Sequence, residues 1–448
     1  ALAWGCARLG AVLVPVNFML TAGEVAFLLA DAEVAAFFAG ADLLPVADGA
    51  LARSGGEVAL RVVIRGGEPA TGWTSFGQWL RPARDGWTAP PVDDDAVIRI
   101  MYTSGTESRP KGAMLSSRSL MAEYVSYVVD GNMTADDIDL HTLPLYHCAQ
   151  LDCFLGPDLM VGATSVLLPG PDPDAVLAAI ERHRVSKYFA PPTVWISLLR
   201  SPAFDATDKS SLRKGYYGAS PMPVEVFREL SRRLPEVRFW NFYGQTEMAP
   251  LATILRPHEQ LRHAGSAGRA SLNVETRVVD DGDNEVAPCE VGEIVHRSPH
   301  AALGYYHDED KTAAAFRHGW FHSGDLGVID ENGYLAVVDR KKDMIKTGGE
   351  NVASREVEEA LYLLEDVAEV AVFGIAHPHW IEAVTAVVVP KEGATLSKEQ
   401  VDAHAREVLA GFKRPKYVVF TDALPKNPSG KILKKDLRVQ HAHLADNG

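Results

Sequence analysis

The stretch IRIMYTSGTESRPKGAMLSS, residues 98–117, runs from an apolar strand into a loop crowded with hydroxyl and glycine residues. The residues of that loop suited to phosphate are Thr103, Ser104, Gly105, Thr106, Ser108, Lys111 and Gly112. Backbone N–H groups and hydroxyls in such a loop bind phosphate oxygens, and a lysine adds a point charge. The spacing does not fit the Walker pattern GxxxxGK[ST], because Pro110 stands where that loop needs an amide donor. The stretch therefore predicts a phosphate-binding loop of another kind, with an ordinary turn as the alternative.

Apolar runs alternate with amphipathic runs on both sides of this loop. The predicted strands are 11–16, 34–40, 97–104, 164–170, 187–192, 214–220 and 237–244, and the predicted helices are 2–9, 22–32, 173–183 and 223–234. The first helix is expected to be buried. This alternation predicts α/β layers with largely parallel sheets. After about Val274 the strands become shorter, and Asp-Gly and Asn-Gly pairs predict hairpins in a small β-subdomain.

A second unit is predicted beyond residue 340. Its elements are a helix at 354–364, strands at 368–376 and 382–390, a helix at 398–410 and a strand at 416–422. These suffice for an independent α+β domain of roughly 100 residues. The predicted organisation is a large N-terminal domain of layered α/β sheets (1–339), a hinge (340–342) and a small, mobile α+β C-terminal domain (343–448).

Four further motifs follow the loop in order. They are NFYGQTEMAP (241–250), GWFHSGDLG (319–327), VDRKKDMIKTGGEN (338–351) and LPKNPSGKILKKDLR (424–438). Together with TSGTESRPKG (103–112) they resemble the adenylate-forming superfamily of acyl-CoA synthetases, luciferases and peptide-synthetase adenylation domains, and fatty acyl-CoA synthetases most. The family more often has Thr-Gly where this chain has Glu107 and Ser108, in the middle of the loop. The resemblance covers essentially all 448 residues, and several dozen N-terminal residues typical of the family are expected to be missing.

The resemblance implies ATP, Mg²⁺ and coenzyme A as cofactors. The catalytic residues it implies are Thr103, Lys111, Glu247 and Lys431. The cofactor-binding residues it implies are Ser104, Gly105, Thr106, Lys111, Gly218, Ala219, Ser220, Tyr243, Gly244, Thr246, Asp325, Arg340, Lys346 and Gly349. Tyr243 would stack on adenine, Asp325 would accept hydrogen bonds from the ribose hydroxyls, and Glu247 would hold Mg²⁺, a cation that takes oxygen ligands.

Two lysines receive distinct roles from the same resemblance. Lys342 matches the hinge position about which the small domain turns. Lys431 would draw the substrate carboxylate to the α-phosphate and neutralise charge in the transition state. Lys434 and Lys435, on a predicted helix, are assigned to the surface.

The implied acyl pocket consists of His147, Trp195, Gly218 and Gln245. His147 would be a gate rather than a base, with a purely structural histidine as the alternative. Trp195 is interpreted either as a gate of a fatty-acid channel or as an ordinary core residue. Asp152 stands in the wrong context for the aspartate that pairs with an amino acid in peptide synthetases. The predicted substrate is therefore a monocarboxylic, largely apolar acid such as a medium- to long-chain fatty acid.

The acceptor is predicted to be coenzyme A. Gly349 would line a narrow pantetheine tunnel, while a plain turn glycine is the alternative. In the predicted reaction an acyl-adenylate forms first, and a rotation about Lys342 then exchanges Lys431 for the loop at 349. The competing functions are an enzyme that loads a carrier protein, a non-catalytic nucleotide or acyl-ligand sensor, and a kinase that would release ADP.

Composition excludes several other classes. A net charge of −15 argues against a general nucleic-acid binder, which needs a broad basic surface. Four cysteines without zinc-like spacing favour a reducing, cytoplasmic compartment over a disulfide framework. No apolar stretch is long enough to span a bilayer. The partners that the resemblance implies are small molecules (a carboxylic acid, ATP and coenzyme A), and a homodimer is left open.

Overall fold

The computed structural model describes residues 1–66, 71–82, 85–103, 110–220, 222–341, 343–427 and 431–447. Of the predicted site residues, Ser104, Gly105, Thr106 and Lys342 lie outside the described residues. Within the described ranges, no helix is both long enough and apolar enough to cross a membrane.

The N-terminal part is a small α/β layer. Its elements are α1 (Leu2–Leu9), α2 (Ala22–Asp31), β1 (Ala36–Gly40), α3 (Leu44–Ser54), β2 (Leu60–Arg65), β3 (Thr74–Ser75) and α4 (Phe76–Trp79). The three strands form a parallel sheet in the order β1-β2-β3. A capping box between Thr21 and Glu24 starts α2, because each side chain binds the other's backbone N–H.

Two predictions for the N-terminal residues are wrong. Helix α1 forms as predicted, yet none of its residues is buried, because it contacts the body of the protein through one face around Ala7. The segment 11–16 makes an isolated bridge from Leu13 to Arg99 instead of a strand. Pro15 has no N–H to donate, so a ladder cannot continue past this bridge.

An antiparallel hairpin carries the predicted phosphate loop. Strands β4 (Val97–Thr103) and β5 (Lys111–Ser116) pair with Thr103 opposite Lys111, and helix α5 (Ser117–Asp130) follows. The pairing of Thr103 with Lys111 therefore holds together the two strand residues on either side of the loop.

The central sheet has the order β12-β11-β10-β9-β8-β6-β7. Its strands are β6 (Ile138–His141), β7 (Thr164–Leu167), β8 (Lys187–Phe189), β9 (Lys214–Gly218), β10 (Arg238–Gly244), β11 (Leu251–Leu255) and β12 (Arg269–Ala270). The pairs from β7 to β10 are parallel, whereas β10, β11 and β12 are antiparallel. This matches the prediction of a largely parallel sheet.

Helices cover both faces of the central sheet. They are α6 (Cys148–Gln150), a π-helical turn (Leu151–Leu155), α7 (Gly156–Val161), α8 (Pro173–His183), α9 (Pro192–Arg200) and α10 (Val224–Arg233). Helices α8, α9 and α10 pack on one face, while α5 and the π-helical turn pack on the other.

Trp195 of α9 belongs to the first of these cores. It is 1% exposed, its ring lies edge-on to Tyr188 and Phe239, and its Nε1 donates to the carbonyl of Tyr216 at 3.1 Å. Because a buried tryptophan N–H needs an acceptor and finds one in the sheet, the structure favours the core interpretation of Trp195 over the gate in an acyl pocket.

Gly244 ends β10 at a point where two backbone segments come very close. A Cβ atom there would lie 1.7 Å from the carbonyl oxygen of Pro250 and 2.9 Å from the nitrogen of Ala252. We therefore expect Gly244→Ala to lower the free energy of unfolding by about 3 kcal/mol, since backbone atoms cannot yield as a flexible side chain can. Urea unfolding of Gly170→Ala, a site with open space around it, is the control. Equal stability of the two variants would contradict this explanation.

The last part of the large domain is an antiparallel sheet, followed by a separate sheet in the small domain. The first contains β13 (Glu275–Val279), β14 (Gly292–Arg297), β15 (Phe321–Ile329) and β16 (Leu335–Arg340), with α11 (Glu309–Ala315) before β15. The second contains β17 (Ile345–Thr347), β18 (Glu350–Val352), α12 (Ser354–Tyr362), β19 (Val367–His377), β20 (Ile381–Pro390), α13 (Lys398–Val408), β21 (Tyr417–Phe420) and α14 (Lys434–His441). The first sheet ends at Arg340 and the second begins at Ile345, and the hinge at 340–342 stays a prediction.

The assignment of Lys434 to the surface needs correction, because its side chain is bound within the small domain. It begins α14, where its ammonium binds Glu358 at 2.8 Å and the hydroxyl of Ser354 at 2.7 Å. Burial raises the pKa of Glu358, although the charge of Lys434 opposes this. Lys435 is exposed as predicted.

Candidate active site

The carboxylate of Asp325, in β15, contacts side chains from two other motifs. The hydroxyl of Tyr243 donates to its Oδ2 at 2.8 Å, and Nε2 of Gln245 donates to the same oxygen at 2.9 Å. Nε of Arg340 lies 3.3 Å from Oδ1. Burial, together with the charge of Asp325, raises the pKa of Tyr243, so its phenol stays protonated and remains a donor. The carboxylate is 4% exposed and is held in one orientation from both sides.

Gln245 is bound by two hydrogen bonds near Asp325. Its amide donates to Asp325 and also lies 2.9 Å from the carbonyl oxygen of Ser323. Both bonds direct the side chain toward the aspartate and not toward an acyl chain. In this arrangement Gln245 positions Asp325, and its place in the acyl pocket stays a prediction.

Glu247 and Lys111 are brought together by Tyr305, a residue that the sequence analysis missed. The hydroxyl of Tyr305 donates to Oε1 of Glu247 at 2.8 Å, and Nζ of Lys111 lies 5.2 Å from the centre of its ring. The backbone around Tyr305 pairs with β5, because Tyr306 N–H donates to the carbonyl of Gly112 at 2.8 Å. A phosphate-loop lysine and a carboxylate suited to a metal thus share one aromatic neighbour.

Thr246, next to Glu247, faces the start of α6. Its hydroxyl lies 3.4 Å from the thiol of Cys148. Burial raises the pKa of this thiol, which keeps it neutral and unreactive at neutral pH.

His147 is the N-cap of α6. Its Nδ1 accepts a hydrogen bond from the N–H of Ala149 at 3.1 Å, so the ring proton of the neutral form lies on Nε2. Burial and the positive charge of Lys431 lower the pKa of His147 to about 4. The ring is therefore neutral at physiological pH, and the small-domain lysine lies within electrostatic range of it.

We expect the titration of His147 to report the position of Lys431. In Lys431→Ala the pKa of His147 should rise, because the nearby positive charge that disfavours the imidazolium is gone. In the matched Lys435→Ala variant it should stay where it is. NMR titration of the histidine side chains measures both, and an unchanged pKa in Lys431→Ala would place the lysine elsewhere in solution.

The other predicted cofactor residues lie in two places. Gly218 ends β9, where a Cβ atom would lie 2.4 Å from the carbonyl oxygen of Phe242, and Ala219 follows with φ +64°. Ser220 comes next and is half-buried. A non-glycine residue in the left-handed region costs free energy and is often found at functional sites.

Lys346 and Gly349 lie on the β17–β18 hairpin of the small domain. Gly348 and Gly349 form its two-residue turn with φ of +59° and +88°, values that strongly favour glycine. A Cβ at Gly349 would meet nothing within 4 Å. The turn alone therefore explains this glycine in the present arrangement, and the tunnel role stays a prediction. Lys346 is exposed, and its backbone N–H donates to Glu382.

A buried cluster in the central sheet has the ligand types of a metal site. Asp139, His141 and Asp158 lie together, and the ammonium of Lys187 binds Asp158 and lies 3.4 Å from Asp139. Nδ1 of His141 accepts from the amide of Gln150, whose own oxygen accepts from a backbone N–H. The proton of His141 is therefore on Nε2, which faces Asp158 at 3.2 Å. Because the lone pair of His141 Nδ1 is occupied by Gln150 and Lys187 already supplies positive charge, we interpret the cluster as an internal ion-pair network.

The carboxylate of Asp152 is also bound by other residues of the fold. It pairs with the guanidinium of Arg99, and both residues are buried. The hydroxyl of Tyr124 donates to the same carboxylate at 3.1 Å. No room is left at Asp152 for the ammonium group of an amino-acid substrate.

Two protein-family models match this chain. The AMP-binding enzyme family matches residues 1–306, and the AMP-binding enzyme C-terminal domain matches residues 356–431. An indoleacetate–CoA ligase of Aromatoleum aromaticum is 38% identical, over 97% of this chain and 84% of the relative. A feruloyl-CoA synthase of an Amycolatopsis species is 39% identical, over 97% and 85%. The long-chain-fatty-acid–CoA ligase FadD13 of Mycobacterium tuberculosis is 34% identical, over 98% and 85%.

Solved structures show the same fold. The anthranilate CoA ligase AuaEII in complex with anthranoyl-AMP superposes with a TM-score of 0.91 at 27% identity, covering 100% of this chain and 85% of that one. ATP-bound MatB from Rhodopseudomonas palustris gives 0.87 at 30% identity, and its apo form gives 0.75 at 31%, each covering 99% of this chain and 86% of that one. The predicted α/β fold with a large N-terminal and a smaller C-terminal domain is confirmed.

Proposed function

Because the chain belongs to the AMP-binding enzyme family, we propose that it is an AMP-forming acyl-CoA ligase. A carboxylate oxygen of the substrate attacks the α-phosphorus of ATP and releases pyrophosphate, giving an acyl-adenylate. The thiol of coenzyme A then attacks the acyl carbonyl, forms the thioester and releases AMP. The observation that carries this proposal is that one tyrosine, Tyr305, contacts both Glu247 and Lys111, the residues proposed for the metal and for the phosphates.

The Asp325 cluster is suited to a nucleoside. A ribose offers two hydroxyl donors, and an oriented carboxylate accepts from them. Tyr243 and Gln245 hold Asp325 in place from one side, and Arg340 lies beside its other oxygen. Since these donors fix the carboxylate before the nucleotide arrives, little reorganisation is needed on binding.

Glu247 fits the metal that accompanies ATP. Its Oε1 accepts from the hydroxyl of Tyr305, which restricts the orientation of the carboxylate, and Nζ of Lys111 lies over the ring of the same tyrosine. Mg²⁺ is commonly held by one or two carboxylates together with substrate phosphates, and when bound it offsets their negative charge. Burial and the charge of Glu247 raise the pKa of Tyr305, so this phenol remains a hydrogen-bond donor.

Lys431 supplies positive charge for the first step. Burial and the charge of Lys431 lower the pKa of His147, so this ring stays neutral and adds no competing positive charge. A lysine positioned in this way draws the carboxylate to the phosphate and stabilises the charge that develops during attack. For the second step we propose that the small domain turns at 340–342, so that Lys431 withdraws and the turn at Gly349 approaches the thiol.

The proposed acid is a largely apolar monocarboxylic acid. The pairing of Asp152 with Arg99 leaves no carboxylate there for an amino acid. The relatives include ligases named for indoleacetate, for feruloyl-CoA and for long-chain fatty acids. Aryl and arylalkanoic acids therefore stand beside medium- and long-chain fatty acids as the classes to compare.

The test is ATP–pyrophosphate exchange with a panel of fatty, aryl and arylalkanoic acids, followed by addition of coenzyme A. The expected result is exchange with one class and CoA-dependent release of AMP and a thioester. Exchange without a thioester would point to a carrier protein as acceptor. Release of ADP, or no exchange with any acid, would overturn the proposal.

A further inference from the structure

Among the described residues, hydrogen bonds at three places join the small domain to the large domain in this arrangement. One of them lies beside the predicted hinge, where the carboxylate of Asp339 accepts from the N–H of Ser354 at 2.6 Å. The other two are made by arginines, Arg355 and Arg200, that bind backbone carbonyls across the boundary.

Arg355 makes the larger of the two arginine contacts. It lies in the first turn of α12, and its side chain is 15% exposed. Nη1 donates to the carbonyl of Val337 at 2.6 Å, and Nη2 donates to the carbonyl of Gly265 at 3.0 Å. Its Nε is bound to Glu359 one turn along the same helix, which fixes the direction of the guanidinium. Two carbonyls of the large domain are thus held by one side chain of the small domain.

Arg200 makes a similar contact, but here the arginine belongs to the large domain and the carbonyl to the small domain. It ends α9 of the large domain, and its Nη2 donates to the carbonyl of Ala368 in β19 at 2.9 Å. Ala368 lies on the small-domain sheet, whereas Val337 lies on β16 of the large domain. The two arginines therefore hold the small domain at separate points.

Both contacts exist in the arrangement in which burial and the charge of Lys431 lower the pKa of His147. The overlap with ATP-bound MatB is also better than with the apo form, at TM-scores of 0.87 and 0.75. Carbonyls on one domain and guanidiniums on the other cannot stay together when the small domain turns. Their bonds therefore stabilise one pose of the domain and not the other, which is the condition for shifting a two-state equilibrium.

We propose that Arg355 and Arg200 are positioning residues that latch the small domain in the adenylate-forming pose and so set the balance between the two half-reactions. This rests on the proposed two-step function. Neither side chain needs to touch a substrate, since each acts through the position that it gives to Lys431.

The half-reactions report this balance directly. Each runs at a rate proportional to the fraction of enzyme in its own pose, so the ratio of the two rates follows the ratio of the poses. Replacing Arg355 with glutamine removes two charge-assisted hydrogen bonds from the adenylate-forming pose alone. We expect the ratio of thioester formation to adenylate formation to rise about ten-fold. A purely structural loss of active enzyme would lower both rates alike and leave the ratio unchanged.

The experiment measures pyrophosphate exchange and thioester formation from supplied acyl-adenylate in Arg355→Gln, Arg200→Gln and the double variant. Arg414→Gln and Arg213→Gln are matched controls, because those guanidiniums also bind two backbone carbonyls but within a single domain. The ratio should rise in the latch variants, most in the double variant, and stay at the wild-type value in the controls. An unchanged ratio in Arg355→Gln, or an equal change in Arg414→Gln, would overturn the latch.

A distance measurement separates failure of the latch from failure of the proposed function. Spin labels at Leu167→Cys and Val439→Cys, both exposed positions, report on the large and small domains, with Cys6 and Cys289 replaced by serine. The latch predicts a second distance population that grows in Arg355→Gln and not in Arg414→Gln. This holds even if no acid is found to be activated, and identical distance distributions would refute the latch on their own.

Discussion

Replacing Lys431 with alanine should slow adenylate formation by roughly 10²–10³-fold, because it removes a positive charge that stabilises the developing negative charge in the transition state. Acyl transfer from supplied acyl-adenylate to coenzyme A should stay within about three-fold of wild type, since Lys431 is proposed to have left before that step. The two rates are measured separately, by pyrophosphate exchange and by thioester formation.

Lys435→Ala is the control for this result. Lys435 lies four residues from Lys431, is exposed, and carries the same charge, so its loss changes the net charge of the small domain equally. It should leave both half-reactions near wild-type rates. An equal fall of both half-reactions in Lys431→Ala would contradict the assigned role, as would a comparable effect in Lys435→Ala.

Glu247→Gln should reduce adenylate formation by about 10²-fold and raise the concentration of Mg²⁺ needed for half-maximal rate, because a neutral amide is a poor ligand for a hard cation. Tyr305→Phe should give a smaller loss of about ten-fold, since it removes only the hydrogen bond that orients the carboxylate. Titration of the rate with Mg²⁺ in wild type and both variants gives the comparison. A Glu247→Gln enzyme with the Mg²⁺ dependence of wild type would show that the metal is held elsewhere.

Much of the fold follows from local sequence patterns. The strands of the central sheet are short apolar runs bounded by turns, and each predicted one has a counterpart within a few residues, such as β9 at Lys214–Gly218. The small domain is predicted equally well, because its long strands β19 and β20 have continuous apolar runs. The prediction of a strand at 11–16 was wrong because local sequence does not distinguish an extended segment from a paired strand. Pairing depends on residues far along the chain, such as Arg99.

The family resemblance, confirmed by the matches over residues 1–306 and 356–431, carries the identities of most candidate site residues. The resemblance does not predict which side chains these residues contact. Gln245 is directed to Asp325, which lies 80 residues away, and Lys434 binds Ser354 across a similar separation. Tyr305 had no signal of its own in the sequence, since a tyrosine after a glycine is unremarkable until the backbone places it between Lys111 and Glu247.

The cluster around Asp325 also has a consequence for biosynthesis. Its donors come from residues 243, 245 and 340, so no shorter nascent chain can assemble it. At about 5–20 residues per second, the ribosome needs roughly 1–3 s to go from Asp325 to Arg340. During that time the carboxylate lacks its full set of partners, and the emerging polypeptide should have little affinity for nucleotide. Nucleotide can therefore assist the maturation of this site only after Arg340 has been synthesised.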